Sequence, residues 1–326
     1  MTVLPSLVVY WRMDGGDDKF TVPPLEDILK YPPYPAYVNL LAGRLERFPE
    51  TGNVGIYVPP EIVKPLKDGV GKKLQDEGIK VVLSIFSYDG GKGEDKEKRA
   101  VGWSTLTTDD NAYLVNQIRE LQDRKGSYQI DGIDIDDEYG PVGEPKNFYF
   151  AVRATRELFP DLVISQPVWA PDITKYKEYP DLARLMTYCA TMSYGNKSQY
   201  IIKEVQDFND LGIPMQKLYA GVYPGPIFPD AKSCRRKPPI TDCDGKICKE
   251  AETNPPQAWT SIEVSKEVAE WTKTKGADGK PNCAGVMIFS YSTDTVEYAS
   301  CPIKSGWPNK DDHAWQTAIT SVLTAK

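Results

Sequence analysis

An α/β fold, built as a single (β/α)8 barrel of the TIM type, is the architecture this sequence predicts. Three observations predict it. Eight short Val/Ile/Leu-rich runs recur along the 326 residues, each of strand length and each ending in polar, glycine or aromatic residues. Runs that are apolar throughout, rather than alternating, belong to strands buried on both faces, as in parallel sheets. Amphipathic stretches long enough for helices lie between several of them, and no glycine-rich nucleotide turn follows the first run. That absence argues against a doubly wound open sheet.

In order, the runs are Leu7–Trp11, Tyr37–Leu41, Ile79–Phe86, Ile130–Ile135, Leu162–Val168, Tyr188–Tyr194, Lys217–Tyr223 and Cys283–Phe289. A helix is expected over Asp110–Lys125, where Tyr113, Leu114, Ile118 and Leu121 follow a double-Asp start that suits an N-cap. Phe148–Phe159 and Ile262–Lys275 show similar spacing, the second after Ser261. Pro224–Pro256, rich in Pro, Lys and Cys, reads as a long loop after the seventh strand. Loops of that length inside a compact domain are usually functional or stapled. No internal repeat stands out, so one domain over residues 1–326 is expected.

Composition narrows the function. There are 39 basic and 46 acidic residues, a net charge of −7, which argues against nucleic acid as a partner. The 19 Tyr and 7 Trp suit a wet groove that grips flat, polar ligands. A single histidine, His313, cannot build a two-histidine zinc site, and it serves a Ser-His-Asp triad only if it happens to sit there. Carboxylates are then left to run any catalysis. No stretch approaches the ~20 apolar residues of a membrane span. Met1–Ser6 lacks the blocks of a signal peptide, so the chain is either cytosolic or a mature secreted chain. The cysteines favour secretion. Cys234, Cys243 and Cys248 crowd the long loop, while Cys283 and Cys301 flank the eighth run. These read as disulfides or a metal site, and without a regular CxxC pair or nearby histidine the disulfides are favoured. Cys189 is expected as a buried free thiol or a sixth partner. No metal or cofactor is expected, and the chain is expected to work as a monomer.

The informative run is Asp131-Gly132-Ile133-Asp134-Ile135-Asp136-Asp137-Glu138-Tyr139. It continues a strand expected to be interior, where an ionised carboxylate is costly unless compensated. Strand alternation places Asp134, Asp136 and Glu138 on one face and Ile133 and Ile135 on the other. In a barrel the isoleucines pack under the helices and the acids line up inside, with Glu138 at the C-terminal mouth, where barrel enzymes keep their chemistry. Three close carboxylates share protons, which raises the pKa of at least one, most usefully Glu138 as a general acid. A calcium loop would want polar residues where Ile133 and Ile135 stand. Gln166, read as facing inward on the fifth strand, could add a hydrogen bond to a ligand. Trp11, Trp169 and Tyr291, at strand ends, could stack on sugar rings or simply pack.

This run resembles the DGxDxDxE signature of glycoside hydrolase family 18, complete here as Asp131, Gly132, Asp134, Asp136 and Glu138. The extension Asp136-Asp137-Glu138-Tyr139 is most similar to the endo-β-N-acetylglucosaminidases of the endoglycosidase H type, as is the passage Gly78-Ile79-Lys80-Val81-Val82-Leu83-Ser84. Met192-Ser193-Tyr194 resembles the family's Met-x-Tyr, and Gly285-Val286-Met287-Ile288-Phe289 its Gly-x-Met-x-Trp, with Phe289 in place of tryptophan. Ser84-Ile85-Phe86-Ser87 stands where chitinases carry Ser-x-Gly-Gly.

The resemblance implies a retaining, substrate-assisted glycosidase, in which the substrate's own 2-acetamido group attacks the anomeric carbon. Glu138 would protonate the leaving oxygen and then activate water; Asp136 would orient the acetamide and stabilise the oxazolinium; Asp134 would set the protonation of Asp136; Tyr194 would hold the acetyl oxygen. Asp131, Met192 and Phe289 join the substrate-binding set on the same resemblance. The favoured substrate is the GlcNAc-β1,4-GlcNAc core of N-linked glycans, free or on a glycoprotein. A chitinase acting on linear GlcNAc polymers is the alternative, and an inactive lectin or inhibitor is a third reading, disfavoured because Asp136 and Glu138 are both present.

Overall fold

A computed structural model of the chain describes residues 5–12, 23–91, 96–122, 130–138, 141–194, 197–224, 260–276, 279–291, 294 and 313–325. The strands are β1 (Ser6–Arg12), β2 (Tyr37–Arg47), β3 (Val54–Tyr57), β4 (Lys80–Phe86), β5 (Gly132–Asp136), β6 (Val163–Val168), β7 (Tyr188–Thr191), β8 (Leu218–Val222) and β9 (Gly285–Phe289). They hydrogen-bond in the order β1-β9-β8-β7-β6-β5-β4-β2-β3, and β1 also pairs with β2. Leaving β3 aside, that order is cyclic and has eight members. Helices at 60–67 and 70–76, 108–122, 145–158, 173–178 and 182–185, 198–210 and 262–273 fall between successive strands, and one at 314–324 follows β9. This is the topology of a (β/α)8 barrel.

Each of the eight apolar runs becomes a strand of that order. β3 is the addition: a four-residue strand antiparallel to β2, with Arg44 opposite Tyr57 and Arg47 opposite Val54. Its sequence, Val-Gly-Ile-Tyr, is too short and too broken by glycine to register as an apolar run. The helix expected to begin on a double-Asp cap begins instead on Thr107. Thr107 Oγ1 accepts from Asp110 N at 3.2 Å, and Asp110 Oδ2 accepts from Thr107 N at 3.0 Å, a reciprocal capping box. Asp110 also takes both arms of the Arg47 guanidinium, at 3.0 and 2.9 Å. Ser261 does cap its helix, accepting from Val264 N at 3.2 Å.

The described chain divides into two compact units. One comprises Tyr37–Cys189 and Phe208–Lys217; the other comprises Met1–Ala36, Ala190–Asp207 and Leu218–Lys326. The core of the first is built from strand residues such as Val38, Leu40, Val82, Ile85, Ile133, Ile135 and Ile164, all buried. In the second, Val8, Val9, Ala220, Val222, Val286 and Ile288 play that part, with Trp315 and Ile319 of the last helix. Among the described residues no helix is long and apolar enough to cross a membrane. The loop Pro224–Pro256 lies outside the described residues except for Pro224, as do Cys234, Cys243, Cys248 and Cys301.

Candidate active site

The carboxylates of the first unit rise in a row along β5. Gly132 begins the strand because only a glycine fits: a Cβ there would stand 2.2 Å from the Val163 carbonyl oxygen on β6. The parallel register then sets Ser84 of β4 and Ser165 of β6 on either side of Asp134. Both hydroxyls donate to its carboxylate, Ser84 Oγ at 2.8 Å and Ser165 Oγ at 2.6 Å. Asp134 is fully buried and held from both flanks. One pleat further, Asp136 is 3% exposed, and its Oδ1 has no hydrogen-bond partner among the described residues. Glu138 follows two residues beyond the strand, half-buried.

Burial, then the charges of Glu138 and Asp134, then a hydrogen bond with Glu138, push the Asp136 carboxyl well above the usual carboxylate range. The row therefore retains a proton where free carboxylates would have lost theirs. Burial is the largest cause of the Asp136 shift.

The residue between them, Asp137, points to the opposite face and anchors the chain leaving β5. It accepts from Ser87 Oγ and, at 3.1 Å, from Trp103 N. Lys175, in the helix at 173–178, reaches Asp137 Oδ2 at 2.8 Å and Asp172 Oδ1 at 2.7 Å. Asp172 in turn accepts from Trp169 N at 3.1 Å. One buried ammonium thus ties the segment bearing Glu138 to the segment bearing Trp169. Burial would lower the pKa of Lys175, but Asp172 and Asp137 outweigh it and raise it, so the ammonium stays charged. Sequence reasoning missed this group, although Asp172 and Lys175 at i, i+3 on a short helix were its visible trace.

In the second unit, aromatics gather at the C-terminal ends of four strands. Tyr194 stacks on Phe289 at 5.6 Å between centroids and 23° between planes. Tyr223 lies 5.6 Å and Tyr10 5.7 Å from the same ring. Phe289 is half-buried and Tyr194 is 7% exposed. Met192, half-buried, precedes Ser193, whose hydroxyl donates to Thr191 Oγ1 at 2.8 Å and which also hydrogen-bonds Glu204.

Other expected site residues have different work. Asp131 lies at the N-terminal end of β5, about 23 Å of strand away from Glu138 at ~3.3 Å per residue. There it accepts from Lys80 Nζ at 3.0 Å, Gln75 Nε2 at 2.8 Å and Val81 N at 3.0 Å, stapling β5 to the start of β4. Ser165, rather than Gln166, shares the face of Asp134. Gln166 accepts from Tyr176 Oη at 2.8 Å in the following helix, and its Nε2 has no partner among the described residues. Trp11 is 5% exposed with its indole N–H bonded to Pro23 O at 2.9 Å. Tyr291 is 1% exposed and stacks on His313 at 3.9 Å. Both pack rather than face solvent. Cys283, expected among the bridging or metal-binding cysteines, is a buried free thiol, as is Cys189.

No protein-family model and no curated protein matches the chain. Solved structures do. The fold is similar to that of GH18 chitinase catalytic domains. Among these, catalytic domain 2 of the Group II chitinase of Ostrinia furnacalis matches at 16% identity, over 98% of this chain and 97% of that one, with a TM-score of 0.63. The catalytic domain of a family GH18 chitinase from the fern Peteris ryukyuensis matches at 13% identity, over 98% and 99%, with a TM-score of 0.61. The chitinase ChiC of Aspergillus fumigatus matches at 14% identity, over 98% and 99%, with a TM-score of 0.58.

Proposed function

We propose that the protein is a secreted, monomeric, retaining glycoside hydrolase that cuts GlcNAc-β1,4-GlcNAc linkages, with the core of N-linked glycans as its substrate. The observation that carries this is the Asp136–Glu138 pair: a buried carboxyl that keeps a proton, one oxygen engaged with the general acid and the other left without a partner. An unpartnered buried oxygen at that depth suits an acetamide N–H. As the acetamide oxygen attacks the anomeric carbon, positive charge grows on the nitrogen, and Asp136 stabilises it. Glu138 donates its proton to the leaving oxygen and recovers one from the water that opens the oxazolinium. Asp134, pinned by Ser84 and Ser165, holds negative charge behind Asp136 and keeps its proton in play. The family resemblance alone assigns Tyr194 to the acetyl oxygen and Phe289 to a sugar face.

The N-glycan core is favoured over chitin because Phe86 and Ser87 stand where chitinases carry Gly-Gly. The chitinase likeness of the fold keeps the second reading in the test. Glu138→Gln, which preserves shape but has no proton to transfer, is expected to lower glycan release about 10²–10⁴-fold. More than a tenth of wild-type turnover would overturn the assignment. Mass analysis of products separates the substrates: an N-glycoprotein left with one GlcNAc, against chitin oligomers shortened to dimers. Equal cleavage of substrates with a plain 2-hydroxyl would exclude the acetamide mechanism.

A further inference from the structure

The Asp136 row continues sideways across the sheet. Asp136 of β5 is in register with Phe86 of β4, Phe86 with Arg44 of β2, and Arg44 with Tyr57 of β3. Cross-strand partners share a face, and neighbouring strands lie ~4.8 Å apart, so these side chains stand about 5, 10 and 14 Å along the row from Asp136. The short antiparallel β3 extends it.

At the far end the row is built for contact. The Arg44 guanidinium lies 4.1 Å from the Tyr57 ring centroid and 4.6 Å from that of Tyr88. Its Nε and Nη2 donate to Glu46 Oε2 at 3.2 and 3.0 Å, and Arg99 takes the other oxygen, with Nε at 2.7 Å. Glu46 is 6% exposed, whereas Arg44 and Arg99 remain 31% and 30% exposed. Two guanidiniums share one buried carboxylate. With Tyr57 and Tyr88 beside it and one side given to Glu46, the guanidinium keeps an N–H edge that meets no acceptor among the described residues. That edge fits two adjacent oxygens. The vicinal hydroxyls of a sugar ring present such a pair.

We propose that Phe86, Arg44, Tyr57 and Tyr88 form a subsite for a further sugar unit of the glycan, one or two rings removed from the reacting GlcNAc, held by vicinal hydroxyls on Arg44 and by the tyrosine rings. This rests on the reading of the Asp136–Glu138 pair as a glycan-cleaving site. Flat rings beside a planar donor are the chemistry by which sugars are gripped, and such a stacked Arg is not replaceable by Lys.

The test is calorimetric binding to the Glu138→Gln protein, with two probes: free GlcNAc-β1,4-GlcNAc, and the same disaccharide carrying mannose branches. The branched glycan is expected to bind at least about tenfold more tightly, and adding Arg44→Met or Tyr57→Ala is expected to shrink that ratio to about twofold while the disaccharide affinity holds. Tyr57→Ala leaves the Arg44–Glu46–Arg99 ion group intact, so it reads the subsite even if Arg44→Met fails to fold. A ratio that survives in the folded variants, an equal loss for both probes, or no preference at the outset overturns the proposal. Absence of cleavage by the wild-type enzyme would instead overturn the hydrolase reading, and the binding ratio would still judge the subsite.

Discussion

Glu204 shows what a single half-buried acid does to this protein. It sits on the helix at 198–210 beside Ser193, and burial, offset in part by that hydrogen bond, pushes its carboxyl up to about 7 from 4.5. The folded state therefore binds a proton that the unfolded chain has given up. Its stabilising effect is complete below pH ~4.5 and is lost as pH rises through ~7, at a cost of up to about 3 kcal/mol. Asp136, also raised, acts with the same sign. Glu204→Gln is expected to raise the melting temperature by several degrees at pH 8 and to leave it unchanged at pH 4. An equal gain at both values would mean that Glu204 does not titrate with folding. At this scale the sequence was legible where alternation governs: Asp134 and Asp136 share a face because a strand has period two. It was not legible where a distant element decides. Asp131 carries the same side chain in the same run, yet Lys80 and Gln75 make it a staple, and nothing within the run distinguishes it.

Between elements, the Asp137–Lys175–Asp172 group is the joint that matters. The Lys175 side chain is 11% exposed, so replacing it with methionine leaves two carboxylates buried near each other without a counter-charge. Removing one partner of a buried ion group costs about 3–5 kcal/mol. Lys175→Met is expected to lose about that much in denaturant unfolding and to lower turnover by loosening the segment that bears Glu138. Adding Asp137→Asn is expected to recover part of the stability, because the two sites share one interaction. Strictly additive losses would show that the ammonium does not bridge the two segments. The helices were legible as apolar periodicity, and their caps only in part. A Thr-x-x-Asp box looks like a double-Asp cap until the Thr107 backbone N–H is seen to bond Asp110. β3 was invisible because its pairing with β2, not its own four residues, makes it a strand.

For the molecule as a whole, alternation of apolar runs with amphipathic stretches was enough to read the cyclic strand order, since each parallel strand needs a crossover before the next. The contents of the long loop were not readable in the same way, because proline, lysine and cysteine encode no period. The two buried thiols have a use at this scale. Cys189 lies in one compact unit and Cys283 in the other. Burial pushes each thiol up to about 12, so almost no thiolate is present at neutral pH and no alkylating reagent can reach it. Neither sulfur is expected to react with iodoacetamide in native buffer; each is expected to react only when its own unit opens, with peptide mass mapping telling the two apart. Labelling of either one in the native protein would contradict its burial. Otherwise the pair are two clocks sealed in separate compartments of one chain, each started only by the opening of its own half.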